Sequence, residues 1–269
     1  MGIFKSFINS GYAGAAEVEP NFVEYDEVFG KRPALISCDV NFLDTLPNHS
    51  LSCCLKLQMD VYIQEELPTL ISESEASYVA MVRSTISEHI GGRFVGQGII
   101  GSSRTVFLMF YIPERLAASS KKMLSEVFMG SFRHVEMDVV DDPDGLQYKK
   151  YLYPSELQLK KSSNAKILRS LRTYGDEGDI PRPVKFYFSF PSKNAALNFY
   201  QESTAKGFVY KDIVAIDPPE GMVLPRYKLT LEKTIPFNLK LLEMVDNYLI
   251  NLSAKYEGEY KSLETTIVE

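Results

Sequence analysis

The sequence predicts an α+β fold: two sandwich domains, each built as βαββαβ on an antiparallel sheet, joined by a helical connector. Three observations carry this. A strand, a proline stop, a helical stretch and a second strand with an acidic turn occur in that order twice. Val106-Phe107-Leu108-Met109-Phe110-Tyr111-Ile112-Pro113 leads to residues 135–143, and Val184-Lys185-Phe186-Tyr187-Phe188-Ser189-Phe190-Pro191 leads to residues 212–218. Residues 51–63 alternate apolar and polar positions, the period of a half-buried strand. A length of 269 residues with 45% hydrophobic content suits two ordinary domains with real cores. The βαββαβ order is the ferredoxin-like one.

The elements follow in order. Residues 1–20 read as a flexible leader and residues 21–145 as the first domain. Residues 34–42 are strand-like. The loop at 44–50, with Pro47 and Asn48, predicts a hairpin into the strand at 51–63. Ser72 and Glu75 have capping-box spacing, and Val79, Val82, Ile86 and Ile90 share one helical face ending at Gly91-Gly92. Strands at 93–100 and 105–112 flank the turn Gly101-Ser102-Ser103. A helix over 114–128 carries Leu116, Ser120, Met123, Leu124 and Val127 on one side and stops at Gly130. A strand at 133–139 closes the unit.

Asp141-Asp142-Pro143-Asp144-Gly145 is a turn cluster and the expected boundary. Residues 146–180 read as the connector. Its helix over 154–173 has Ile167, Leu168 and Leu171 as apolar stripe and an expected break at Ser162-Ser163-Asn164. Residues 181–269 form the second domain. Its first strand points Val184, Phe186, Phe188 and Phe190 inward. Ser192 and Gly207 bracket a helix, and the alternation of the strand at 208–216 shifts near Asp212, which predicts a bulge. A strand at 224–233, a helix from about Pro236 with Leu241, Val245, Tyr248, Leu249 and Leu252, and a strand at 259–267 complete it. The repeated step lies in the second half of one unit and the first half of the other. It is one building step used twice, not a duplication in register.

Bulk properties exclude several classes. A net charge of −6 argues against nucleic acid, which needs clustered cations. Three cysteines, Cys38, Cys53 and Cys54, make no disulfide framework and point to the reducing cytoplasm. Nothing approaches the apolar run of about 20 residues that spans a membrane. Met1 to Ser6 fits the loose acylation pattern M-G-x-x-x-[ST], read here as part of the leader.

Chemistry is sparse. Cys53 is expected in the core and Cys54 on the accessible face, where His49 could approach it, but no metal-ligand spacing supports a site. His89 sits where a cation complements a helix C-terminus. His134 alternates with Glu136 and Asp138, the best set for acid–base work, yet no nucleophile accompanies it. The Gly-rich run 91–98 follows a helix and enters a strand, the reverse of a phosphate loop. Of residues 185–190 only Tyr187 is expected outside, too little for base stacking. No catalytic residue, cofactor or metal is expected. The competing reading is an enzyme with its site between the domains, using His134, Glu136 or Arg104.

The first unit resembles the bacterial family called domain of unknown function 695. The likeness rests on Leu55-Lys56-Leu57, His89-Ile90, Phe94-Val95-Gly96-Gln97-Gly98 and Arg104 to Tyr111. The second resembles the regulator of ribonuclease E activity B family (RraB-like). There it rests on Pro181-Arg182-Pro183-Val184, the Phe-rich strand, Lys206-Gly207-Phe208 and Ala254-Lys255-Tyr256-Glu257-Gly258-Glu259-Tyr260. That family often has Trp after its Tyr-x-Gly element; here Glu259 follows and the chain has no Trp. The resemblance implies a non-catalytic regulator whose partner is another protein, a ribonuclease. It points to Arg182, Tyr256, Glu257 and Tyr260 as interaction surface.

Overall fold

The computed structural model describes residues 18–29, 31–62, 71–101, 104–128, 133–216 and 226–268. Outside them lie most of the leader with its acylation pattern, Ile63, the turn residues Ser102 and Ser103, the helix stop at Gly130, and Asp217-Pro218. Two compact units result, the second comprising Pro154–Glu269 with Glu24–Glu27 and the first the rest.

A six-stranded sheet holds β1 (Phe22–Phe29), β2 (Arg32–Asp39), β3 (Cys53–Asp60), β4 (Arg93–Ile100), β5 (Thr105–Ile112) and β6 (Val135–Asp141). Their spatial order is β1-β2-β4-β5-β3-β6. The last four are antiparallel neighbours. Together with α1 (Glu73–Ile90) and α2 (Ala117–Val127) they make the ferredoxin-like arrangement. Val79, Val82, Ile86 and Ile90 of α1 pack with Leu55, Leu57, Met59, Leu108 and Phe110.

The expected hairpin into β3 does not form. β2 pairs with β4, Ile36 opposite Gly98, because both edges of β3 are taken by β5 and β6. A 3-10 turn, Val40–Thr45, carries the chain across instead. Asp39 starts it by accepting from Asn41 N at 3.2 Å, and Phe42 anchors it between the rings of Tyr111 and Tyr148.

That anchoring covers the sheet's second face. Tyr148, from the short helix α3 (Leu146–Tyr151), donates to Asp39 O at 2.8 Å, and Tyr111 donates to Asp142 Oδ2 at 2.5 Å. Cys54, on the same face as its neighbour Tyr111, is therefore buried, contrary to the accessible position expected from alternation. A second covering layer is invisible to a period-two reading of β3.

Ser72 caps α1 through Glu75 N at 3.3 Å. The Glu75 carboxylate instead grips Arg133 at 2.6 and 2.8 Å, and that guanidinium holds its carboxyl below the ordinary range.

The second unit's sheet has β7 (Arg182–Phe190), β8 (Val209–Ile216), β9 (Arg226–Ile235) and β10 (Glu259–Thr265) in the order β10-β7-β9-β8, all antiparallel. Phe186, Phe188, Phe190, Leu229 and Leu231 face α4 (Glu156–Thr173), α5 (Lys193–Thr204) and α6 (Leu239–Lys255) in one core. Ser192 caps α5 by accepting from Ala195 N, and the register of β8 shifts between Tyr210 and Asp212, the expected bulge. Helix α4 runs unbroken through Ser162-Ser163-Asn164. Asn164 is buried and donates to Asp246 Oδ2 at 2.6 Å, which turns an apparent helix breaker into a core contact. Leu168 and Leu171 of α4 enter the core of this unit.

Candidate functional site

The four residues expected at the interaction surface divide into two pairs. Arg182 is 1% exposed. Its guanidinium pairs with Asp176 and donates to Ile180 O at 3.1 Å and Thr266 O at 3.2 Å. Asp176 also accepts from Val268 N at 3.1 Å and Gly178 N at 2.9 Å. The Arg182 guanidinium holds the Asp176 carboxyl well below the usual carboxylate range. The Arg-Pro pair is thus an internal clasp joining the start of β7 to the chain's end, and Arg182 is not a surface residue.

Tyr260 is also interior. Its hydroxyl donates to Asp246 Oδ1 at 2.9 Å, and its ring lies under Lys160 Nζ at 4.1 Å. Asp246 is fully buried on α6, and burial pushes its carboxyl above the ordinary range against the opposing effect of Tyr260 and Asn164.

At the end of α6, Glu257 is exposed and Tyr256 is half-buried against the core. The turn there is a Schellman motif: Gly258 N donates to Ser253 O at 2.8 Å and Glu257 N to Ala254 O at 3.1 Å. Its left-handed residue is Glu257, with φ +56. Helix α4 ends in the same pattern with Gly175, φ +82, at that position. A side chain held there costs about 1 kcal/mol relative to glycine. Gly258 must lack a side chain, because a Cβ would fall 2.1 Å from the Phe190 ring. The Tyr-x-Gly element is therefore explained by backbone geometry and packing, with Glu257 as its one exposed and strained member.

Beside this turn, Glu202 of α5 accepts from Lys255 Nζ at 2.6 Å and from Tyr256 Oη at 2.7 Å. Glu202 sits below its ordinary pKa because of Lys255 and then Tyr256; Tyr256 is raised, chiefly by Glu202. These residues adjoin a shallow, open depression of about 470 Å³ lined by Glu202, Met244, Asn247, Tyr248, Asn251 and Lys255. Met244 is 66% exposed. The set can make apolar, amide and ionic contacts. Glu202, Met244 and Asp246 carry no motif that singles them out in the sequence; Asp246 is placed by its burial on the core face of α6 beside Leu242, Val245 and Leu249.

Elsewhere, His134 Nε2 and Glu136 Oε1 are 2.9 Å apart on an open surface, and Glu136 raises the imidazole pKa. His49 is exposed while Cys54 is buried. Burial pushes the Cys38 and Cys54 thiols up to about 12, which leaves both unreactive at neutral pH. His89 Nδ1 donates to Thr85 O at 2.8 Å in the last turn of α1. The run 91–98 is the left-handed C-cap of α1 followed by β4. Tyr187 lies outward, but its hydroxyl is bound to Glu264 at 2.8 Å and Lys228 covers its ring. Among the described residues, no group of three His, Cys, Asp or Glu side chains could hold a metal, and no helix is long and apolar enough to cross a membrane.

Residues 161–265 match the model of a protein family described as Regulator of ribonuclease activity B. The match begins inside α4 and ends in β10, so it falls within the second unit. No curated protein matches the chain. Among solved structures, one described as an unknown protein from Galdieria sulphuraria aligns at 8% identity and TM-score 0.26, covering 80% of this chain and 99% of that one. A putative glycine cleavage system transcriptional repressor aligns at 7% identity and TM-score 0.24, covering 80% and 98%.

Proposed function

We propose that this chain is a non-catalytic regulatory module that binds another protein, a ribonuclease, through the end of α6 in its second unit. The observation that carries the reading is Glu257: an exposed carboxylate kept in a left-handed conformation where α4 uses glycine. Strain retained on a surface is a reason to look for function there. Tyr256, Glu202, Lys255 and Met244 supply aromatic, ionic and apolar contacts around it. The family model supports a ribonuclease as the partner. The three unbridged cysteines suit action in the cytoplasm. For the first unit we carry forward the resemblance to the domain of unknown function 695 family.

The test is cleavage of a labelled RNA by purified ribonuclease E with and without the chain, alongside direct binding by calorimetry. The expected result is saturable binding and altered cleavage, weakened about tenfold by Tyr256→Ala with Glu257→Gly. Absence of both binding and any change in cleavage rejects a ribonuclease partner.

A further inference from the structure

The two edges of the second sheet differ. At β10 the register shifts between Tyr260 and Ser262, and Lys160 Nζ donates to the carbonyls of Tyr260 and Lys261 at 2.8 and 2.7 Å. Glu259, Lys261 and Glu264 stand along it, and its one aromatic, Tyr260, is buried. A bulge, a lysine and alternating charge are the devices that stop an edge from pairing with another chain. At β8 the bulge is present, but the side chains are of the other kind. Val209 is 57% exposed, Val214 49% and Ile216 39%, with Tyr210 also exposed. The single cation of this strand, Lys211, is engaged by Glu232 at 2.8 Å, while Asp212 stands exposed.

We propose that β8 is a docking edge for one extended segment of a partner protein, apolar at alternate positions and carrying a lysine or arginine to meet Asp212. Among the described residues β8 pairs with β9 alone, and its other edge offers backbone donors and acceptors that an added strand satisfies. Val214 and Ile216 lie opposite Lys228 and Arg226 of β9, so they share a face and set the apolar positions of the incoming strand. Asp212 lies on that same face and sets the cation. A second copy of this chain fits less well, because the Lys211 it brings is already paired with Glu232. Residues 209–216 include none of the residues named at the end of α6, and the proposal stands without the ribonuclease.

The experiment uses the full chain and three fluorescein-labelled, acetylated peptides of alternating Val and Thr, with a central Lys, Ala or Glu. Binding is read by anisotropy, and amide exchange locates the contact. The Lys peptide is expected to bind roughly threefold tighter than the Ala peptide and the Glu peptide weakest, as a cross-strand ion pair allows. Asp212→Lys, an exposed change that leaves the core untouched, reverses the order. Slowed exchange is expected within residues 209–216. Lack of binding by all three up to about 1 mM, equal affinities, or slowed exchange elsewhere overturns the proposal. So does protection of 209–216 without peptide that rises with protein concentration, which assigns the edge to a second copy.

Discussion

Glu257, Arg182 and Asp246 occupy unusual positions for three different reasons, and each makes a distinct prediction. Glu257 takes the left-handed place at the end of α6. Glu257→Gly is expected to raise stability by about 1 kcal/mol in urea titration while weakening partner binding, the opposite signs expected of a strained surface residue. Arg182 closes the clasp on Asp176, Ile180 and Thr266. Arg182→Ala is expected to lower the Tm and speed amide exchange at residues 264–268, with partner affinity unchanged below the melting range. The Asp176 carboxyl is depressed, so its contribution is complete above the ordinary carboxylate pKa and is lost as pH falls through the lower folded value. Asp246 behaves inversely. Its folded carboxyl is raised, so its contribution is fullest below the unfolded value and is lost as pH rises through the folded one. Asp246→Asn keeps a polar partner for Asn164 and Tyr260 and carries no charge into the core. It is expected to flatten that part of the stability–pH curve and to change stability at pH 7 by no more than about 1 kcal/mol. A steeper curve in the variant would show that the buried charge, not its proton, is what the site favours.

At the level of elements, periodicity and punctuation located the strands and helices well. The cap at Ser192, the bulge before Asp212 and the Phe face of β7 follow from local chemistry, which a sequence displays. Pairing is less local. β2 stands beside β4 because of a 3-10 turn anchored by Phe42, and nothing within residues 34–63 encodes the rings of Tyr111 and Tyr148 that receive it. Polar residues misled for the same reason. Asn164 resembles a breaker until its partner on α6, far along the chain, is known. The candidate site suffers most, because Arg182 and Tyr260 are polar residues of a resembled motif, and only their burial separates structure from surface. The packing of α4 is directly testable. Leu168 lies in the core with Phe186 and Leu229 among its members, so Leu168→Ala is expected to cost about 2–4 kcal/mol by denaturant unfolding. A helix that merely spanned between units would show a cost near zero at that position.

At the level of the molecule, each unit has its own apolar core: one built on Leu55, Leu108 and Phe110, the other on Phe186, Phe188 and Leu231. The family match lies within the second. Cores made of separate residues need not melt together, and a chain of this kind departs from two-state unfolding. Leu108→Ala is therefore expected to accelerate amide exchange in β3 and β5 and to leave β7 and β9 as protected as before. Phe188→Ala should do the reverse, each lesion costing its own core about 3 kcal/mol. The pair also separates fold from function. If the proposed ribonuclease contact lies at the end of α6, the first lesion is expected to leave that binding intact at temperatures where the second unit stays folded, and the second lesion to remove it. Equal loss of binding in both variants, with exchange confined to the mutated core in each, would place the contact in both units and move the search for the partner's footprint beyond α6.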